Sequence, residues 1–209
     1  MQTELPESFE DTVAFLKSYG ALEEGHFILA SGRHSGHYVK KGLLVQHPWE
    51  VARMLEQRQR MLEALGGIDV VLSPAVGGIA VGQQVGLLLH CRAVYAERGA
   101  DNAMRLKRGF ELRPGERVLL VEDVVTTGGT LGELRRFVEG QGAVLVAVFA
   151  LVNRSGSDVW DGVPLISCLQ AVFPTYAPAH LPPELAAAPA ERPGTKKVSE
   201  WTNRSDNCP

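Results

Sequence analysis

Residues 117–130 read RVLLVEDVVTTGGT, and this stretch decides how the rest of the chain is read. Arg117 to Val121 is an apolar run of strand length, rich in Val and Leu. Two adjacent acids, Glu122 and Asp123, follow, then Val124, Val125 and a Thr/Gly turn to Thr130. Helical patterning runs from Gly128 to Glu139. In open parallel sheets, ligands bind beyond the carboxyl ends of strands, which is where this turn falls. Gly128 and Gly129 let the backbone turn tightly and bring N–H groups against a ligand. Thr126, Thr127 and Thr130 add hydroxyl donors, and the helix N-terminus behind them completes a cradle for a phosphate dianion. Carboxylates cannot bind phosphate, but they accept well from a vicinal diol. Phosphate at one end and diol at the other describe a ribose 5-phosphate. The plainer alternative is a structural βα turn with solvated acids. No GxxxxGK[ST] loop is present, and no GxGxxG follows a strand.

Working outward, the same grammar repeats. Asp69–Leu72 reads as a strand, Ser73–Gly78 as a glycine loop and the following residues as a helix to about Leu89. Ala93–Ala96 is a further strand, Glu97–Arg108 a polar stretch with no apolar period, and Val144–Val152 another strand. Continuous Val/Leu/Ala runs alternating with helices mark a parallel sheet covered on both faces. The fold class is therefore α/β, a doubly wound parallel sheet. N-terminal to it, Ser8–Tyr19 reads as a helix with Ser8 as N-cap and Gly20 as stop. His26–Ala30 and Tyr38–Val45 read as strands, and Pro48–Leu65 as one amphipathic helix. After Ile166 the chain turns proline-rich and is expected to be irregular and extended.

With 209 residues, 45% apolar and 22% charged, the chain has ordinary globular composition. A net charge of −3 argues against a nucleic-acid partner. Cys91, Cys168 and Cys208 are odd in number and form no CxxC, so they read as reduced thiols rather than zinc ligands. The longest apolar run, Ala143–Val152, is far short of the ~20 residues a membrane helix needs. Met1–Glu10 has no apolar signal core, which leaves the cytoplasm as the expected compartment.

VEDVVTTGGT resembles the motif of type I phosphoribosyltransferases that binds 5-phosphoribosyl-1-diphosphate (PRPP). Three further stretches narrow the resemblance to orotate phosphoribosyltransferases: GHFILASGRHSGHYVKKG (25–42), SPAVGGIAVG (73–82) and ALVNRSG (150–156). The resemblance implies a type I phosphoribosyltransferase fold over residues 1–197. An N-terminal hood element would span 1–45, a PRPP-binding core 46–170, and a disordered tail 198–209. It implies transfer of the phosphoribosyl group from PRPP to orotate, with Mg²⁺ carried by PRPP and no protein metal cage, in a homodimer.

By the same resemblance, Glu122 and Asp123 hold the ribose diol and Thr126–Thr130, behind Val124 and Val125, hold the 5-phosphate. Ala75, Val76, Gly77 and Gly78 present amides to diphosphate. Thr126 and Arg154 touch orotate; a guanidinium pairs well with its carboxylate. Residues 96–109 resemble a loop that closes over PRPP, with Arg98 first and Lys107 second as the catalytic cations. Two departures stand out. The loop has no Arg-Lys pair at its start and no histidine, and Ala30 stands where many relatives carry lysine. Lys40 or Lys41 is the candidate replacement, with Lys41 as a candidate orotate-site residue. Two other readings stay open: a purine phosphoribosyltransferase and a PRPP-binding regulator.

Overall fold

The computed structural model describes residues 4–29 and 31–193; Ala30 and the tail 198–209 lie outside the described residues. Helix α1 (Phe9–Ser18) precedes strands β1 (Leu22–Ile28) and β2 (His34–Val39). Three helices follow: α2 (Lys41–Val45), α3 (Pro48–Glu56) and α4 (Gln59–Glu63). The alternating region is β3 (Val70–Pro74), α5 (Gly77–Leu89), β4 (Arg92–Arg98), β5 (Met104–Leu106), β6 (Arg117–Val125), α6 (Gly129–Gly140) and β7 (Val144–Asn153). Beyond it come β8 (Val159–Trp160), β9 (Val163–Gln170), β10 (Thr175–Tyr176), α7 (Pro183–Ala187) and β11 (Ala190–Glu191).

Two compact units divide the chain. The larger takes residues up to Leu22 together with Val39–Val172, and the smaller joins Glu23–Tyr38 to the segment from Phe173 onward. Helix α1 therefore belongs with the α/β unit, where it lies against β9. Its Ser8 caps it as the sequence predicts, accepting from the Asp11 N–H at 3.0 Å, an interaction worth about 1 kcal/mol.

The larger unit is built on a seven-stranded sheet of order β5-β4-β3-β6-β7-β9-β8. Its five central strands run parallel, and β5 and β8 close the two edges antiparallel. Side chains alternate across each strand. Val70, Leu72, Val118, Leu120, Val148 and Ala150 share one face with Leu131, Leu134 and Val138 of α6. Full burial of each such leucine or valine contributes roughly 1.5–3 kcal/mol. On the other face α5 comes down on Val71 and Ser73, close enough that a methyl at Gly82 would meet the Ser73 Oγ at 2.6 Å. Helices on both faces make this the doubly wound α/β sheet that the sequence predicts.

Several elements differ from expectation. Tyr38–Val45 is not one strand: β2 stops at Val39 and α2 starts at Lys41, with its Leu44 fully buried. The single helix over 48–65 is two, because Arg58 leaves the helix line to donate to the Ser167 and Cys168 carbonyls of β9. Strand β6 runs on to Val125, so Glu122 and Asp123 lie within its paired register, Glu122 opposite Ala150 and Val125 opposite Asn153. The polar stretch 97–108 contains a hairpin, with Met104 opposite Arg98. The region after Ile166 still holds half of β9.

Candidate active site

The carboxyl end of β6 carries the chemistry. Asp123 is buried, its side chain only 2% exposed, and Lys41 at the head of α2 reaches it with Nζ 2.7 Å from Oδ2 and 2.8 Å from Oδ1. The Val124 N–H also donates to Asp123 Oδ1 at 2.7 Å. Lys41 is 45% exposed, so the pair has one wet and one dry end. Beside it, burial first and then the charge of Asp123 push the Glu122 carboxyl up to about 8, with Lys41 opposing them in part. Two neighbouring acids with one lysine thus leave a proton on Glu122 at neutral pH.

The glycine loop packs directly on this pair. A Cβ at Gly77 would stand 2.1 Å from Asp123 Oδ2 and 2.8 Å from Lys41 Nζ. Glycine is needed there because α5 starts in contact with the carboxylate. The Ala75 N–H donates to the Ala96 carbonyl at 2.8 Å and ties the loop to β4, and the Ala75–Val76 peptide bond is cis. Val76 is exposed and Gly78 buried under β3 and β6.

On the other side of Asp123, Thr126, Thr127 and Gly129 are exposed, and Gly128 adopts φ +74° as the N-cap of α6. This puts the open amide end of a twelve-residue helix beside hydroxyl donors, which is an anion-binding arrangement. The Arg154 N–H donates to the Val125 carbonyl at 2.8 Å, so Arg154 lies next to the start of the same turn. Fully buried Asn153 organises the residues after it, donating to the Ser157 carbonyl at 2.7 Å and accepting from the Ser155 amide and hydroxyl.

The basic loop is occupied with acids of its own. Arg98 pairs with Glu133 of α6 at 2.8 Å and donates to the Asn102 carbonyl. Lys107 sits 3.4 Å from Glu97 and donates to the Arg98 carbonyl, and Arg108 also takes Glu97. Neither Arg98 nor Lys107 is directed to Glu122 or Asp123. The structure thus brings Lys41, Gly77, Glu122, Asp123 and the Thr/Gly turn together, with Arg154 at the turn's edge. It leaves the loop cations on other partners.

In the smaller unit, His26 and His34 are buried and share a 2.6 Å hydrogen bond, and His37 stacks on Phe173 at 4.4 Å. Among the described residues, no three His, Cys, Asp or Glu side chains gather as metal ligands. Cys91 and Cys168 are free thiols, and burial pushes Cys168 up to about 12; Cys208 lies outside the described residues.

A family model described as the phosphoribosyl transferase domain matches residues 44–168. The orotate phosphoribosyltransferase of Novosphingobium aromaticivorans is 40% identical over 90% of this chain and 97% of its own. That of Caulobacter vibrioides is 38% identical over 90% and 97%. The chain belongs to the orotate phosphoribosyltransferase family. Among solved structures, the family's member from Aeropyrum pernix superposes with a TM-score of 0.59 at 25% identity, covering 75% of this chain and 92% of that one. An adenine phosphoribosyltransferase from Trypanosoma brucei, at 17% identity, TM-score 0.56 and coverage of 74% and 78%, shares the fold. Strand β6 carries both acids within its paired register, with Asp123 turned inward onto Lys41, and the Thr/Gly turn follows it. The role of Asn153 was not legible in the sequence, since an asparagine at a strand end carries no pattern of its own.

Proposed function

We propose that this chain transfers the 5-phosphoribosyl group from PRPP to orotate, releasing diphosphate and forming orotidine 5′-monophosphate for pyrimidine nucleotide synthesis in the cytoplasm. The observation that carries it is the junction at β6, where two acids on a dry floor meet an open helix N-terminus. That junction matches a sugar diol on one side and a 5-phosphate on the other.

In the reaction the C1–O bond to diphosphate breaks with both electrons leaving on the diphosphate. Orotate gives up its N1 proton, which leaves with the departing diphosphate, and the electron pair of that N–H bond forms the new bond from N1 to C1. The transition state has oxocarbenium character, so positioning and charge stabilisation carry the catalysis. Glu122 and Asp123 accept from the 2′- and 3′-hydroxyls. Thr126, Thr127, Thr130 and the amides of Gly128 and Gly129 hold the 5-phosphate, and Ala75–Gly78 face the diphosphate. Lys41 has a different part from a direct orotate contact: it offsets the charge of the buried Asp123 carboxylate where Gly77 packs against it. Arg154 and Thr126 border the base.

The hard carboxylate oxygens of Glu122 and Asp123 would be the groups nearest a Mg²⁺ carried by PRPP. When bound it neutralises charge on the leaving group. Arg98 and Lys107 serve the diphosphate after giving up Glu133 and Glu97, and closure of the 96–109 loop excludes water. A homodimer supplies that loop to the neighbouring site.

The test is an ultraviolet assay with PRPP and Mg²⁺, comparing orotate with adenine and hypoxanthine. Turnover of orotate alone is the expected result. Turnover of a purine alone, or PRPP binding with no turnover of any base, would overturn the assignment.

A further inference from the structure

The phosphate-binding turn has a neighbour that the motif does not include. Val159 and Trp160 form the short edge strand β8, joined to β9 by Asp161–Gly162 with φ +47° and +81°. Two successive positive-φ residues of this type make a tight two-residue hairpin turn. The hairpin is fastened to α6 by Arg135, whose Nη1 donates to the Asp161 carbonyl at 2.6 Å and to its Oδ2 at 2.9 Å. One strand residue back, the Trp160 indole lies over the N-cap of that same helix. A Cβ on Gly128 would fall 2.1 Å from Trp160 Nε1, 2.9 Å from Cδ1 and 3.0 Å from Cε2. The pyrrole edge of the indole therefore covers the α-carbon of Gly128, while the rest of the ring packs on the sheet core.

Gly128 has two separate reasons to be glycine: its left-handed backbone and the indole pressed against it. We propose that Trp160 is a positioning residue for the phosphate subsite. Its indole holds Gly128 in the left-handed conformation, so that the amides opening α6 stay aimed at the 5-phosphate. The hairpin makes this possible because Arg135 fixes Asp161 about two turns further along α6, leaving the indole no freedom to swing away. The inference rests on the reading of this turn as the 5-phosphate site.

The test compares ribose 5-phosphate, which needs the turn, with inorganic diphosphate, which needs the 75–78 loop. Trp160→Leu weakens ribose 5-phosphate roughly tenfold in titration calorimetry and leaves diphosphate within about twofold; Trp160→Phe, which keeps a flat ring, loses about threefold. A merely structural contact would lower the unfolding temperature and shift both ligands alike or neither, and either pattern overturns the proposal. A second measurement needs no change at Trp160. In a Trp49→Phe/Trp201→Phe background its fluorescence responds saturably to ribose 5-phosphate and not to diphosphate, and a silent indole also overturns the proposal. If the unsubstituted protein binds neither ribose 5-phosphate nor PRPP, the fault lies with the phosphate reading of the turn, and the role of Trp160 falls with it.

Discussion

Glu122 and Asp123 are neighbours in sequence with unlike electrostatic tasks. Asp123 has Lys41 against both oxygens, whereas burial and the adjacent negative charge hold a proton on Glu122 up to about pH 8. In an unfolded chain a glutamate releases that proton near pH 4.3. The folded protein therefore binds more protons than the unfolded one across this window. The contribution of Glu122 to stability is full below the lower value and is lost as pH rises through about 8. Diol binding runs the other way, since an ionised carboxylate is the better acceptor. kcat/KM for PRPP should climb with pH to a plateau above about 8, and in Glu122→Gln that climb should vanish from the profile. Lys41→Met removes the charge that restrains Glu122, so the inflection should move to higher pH. It also strands a buried carboxylate, at a cost of about 1–3 kcal/mol in denaturant unfolding, less than for a fully buried pair because Lys41 is half in water. An inflection that stays in place would show that Lys41 does not govern the pair. The doubled lysine at 40–41 is visible in the sequence, but the partner of Lys41, 82 positions away, is not.

At the scale of elements, strand–turn–helix units are the most legible because their signals are local. An apolar run, a Gly/Thr turn and a 3.6-residue period place β6 and α6 without knowledge of anything else. The glycine loop before α5 reads as a phosphate cradle, yet Gly77 owes its identity to a side chain arriving from another strand. Gly77→Ala should cut kcat/KM by about a hundredfold or more, with far smaller loss of stability, because Cβ would displace the Asp123–Lys41 pair rather than break the sheet. Steady-state kinetics alongside thermal unfolding checks it; a near-normal rate would place the catalytic carboxylate elsewhere. Other elements depart from their local patterns where tertiary contacts overrule propensity. Strand β2 gives way to α2 because Leu44 must be buried, and the 48–65 helix breaks so that Arg58 can cap two carbonyls of β9. The β8–β9 hairpin does carry a signal: Asp-Gly between apolar residues 159–160 and 163–165 is a strong hairpin mark. What weakens that mark is Pro164 within the second strand and the length of β8, which is only two residues.

At the scale of the molecule, the buried centre of the sheet and the smaller unit should differ in local stability. Amides of Val118–Val121 and Val148–Val152 lie in interior strands with fully buried side chains and should exchange only on global unfolding. Those of β1 and β2, in a four-stranded sheet completed by two-residue strands β10 and β11, should exchange earlier. Hydrogen exchange read by mass spectrometry tests this, and uniform protection would contradict it. Family resemblance and fold agree at this level: residues 44–168 match the phosphoribosyl transferase domain, and the sheet order is that of a doubly wound core. The sequence by itself determined the α/β class, the β6 turn and the kind of ligand it suits, because each is written in contiguous residues with a short period. Only the tertiary structure decided that Lys41 serves Asp123, that Gly77 packs against them, that Trp160 covers Gly128 and that the loop cations rest on Glu97 and Glu133. Those pairings join residues far apart along the chain, and packing, which no local pattern encodes, selects them.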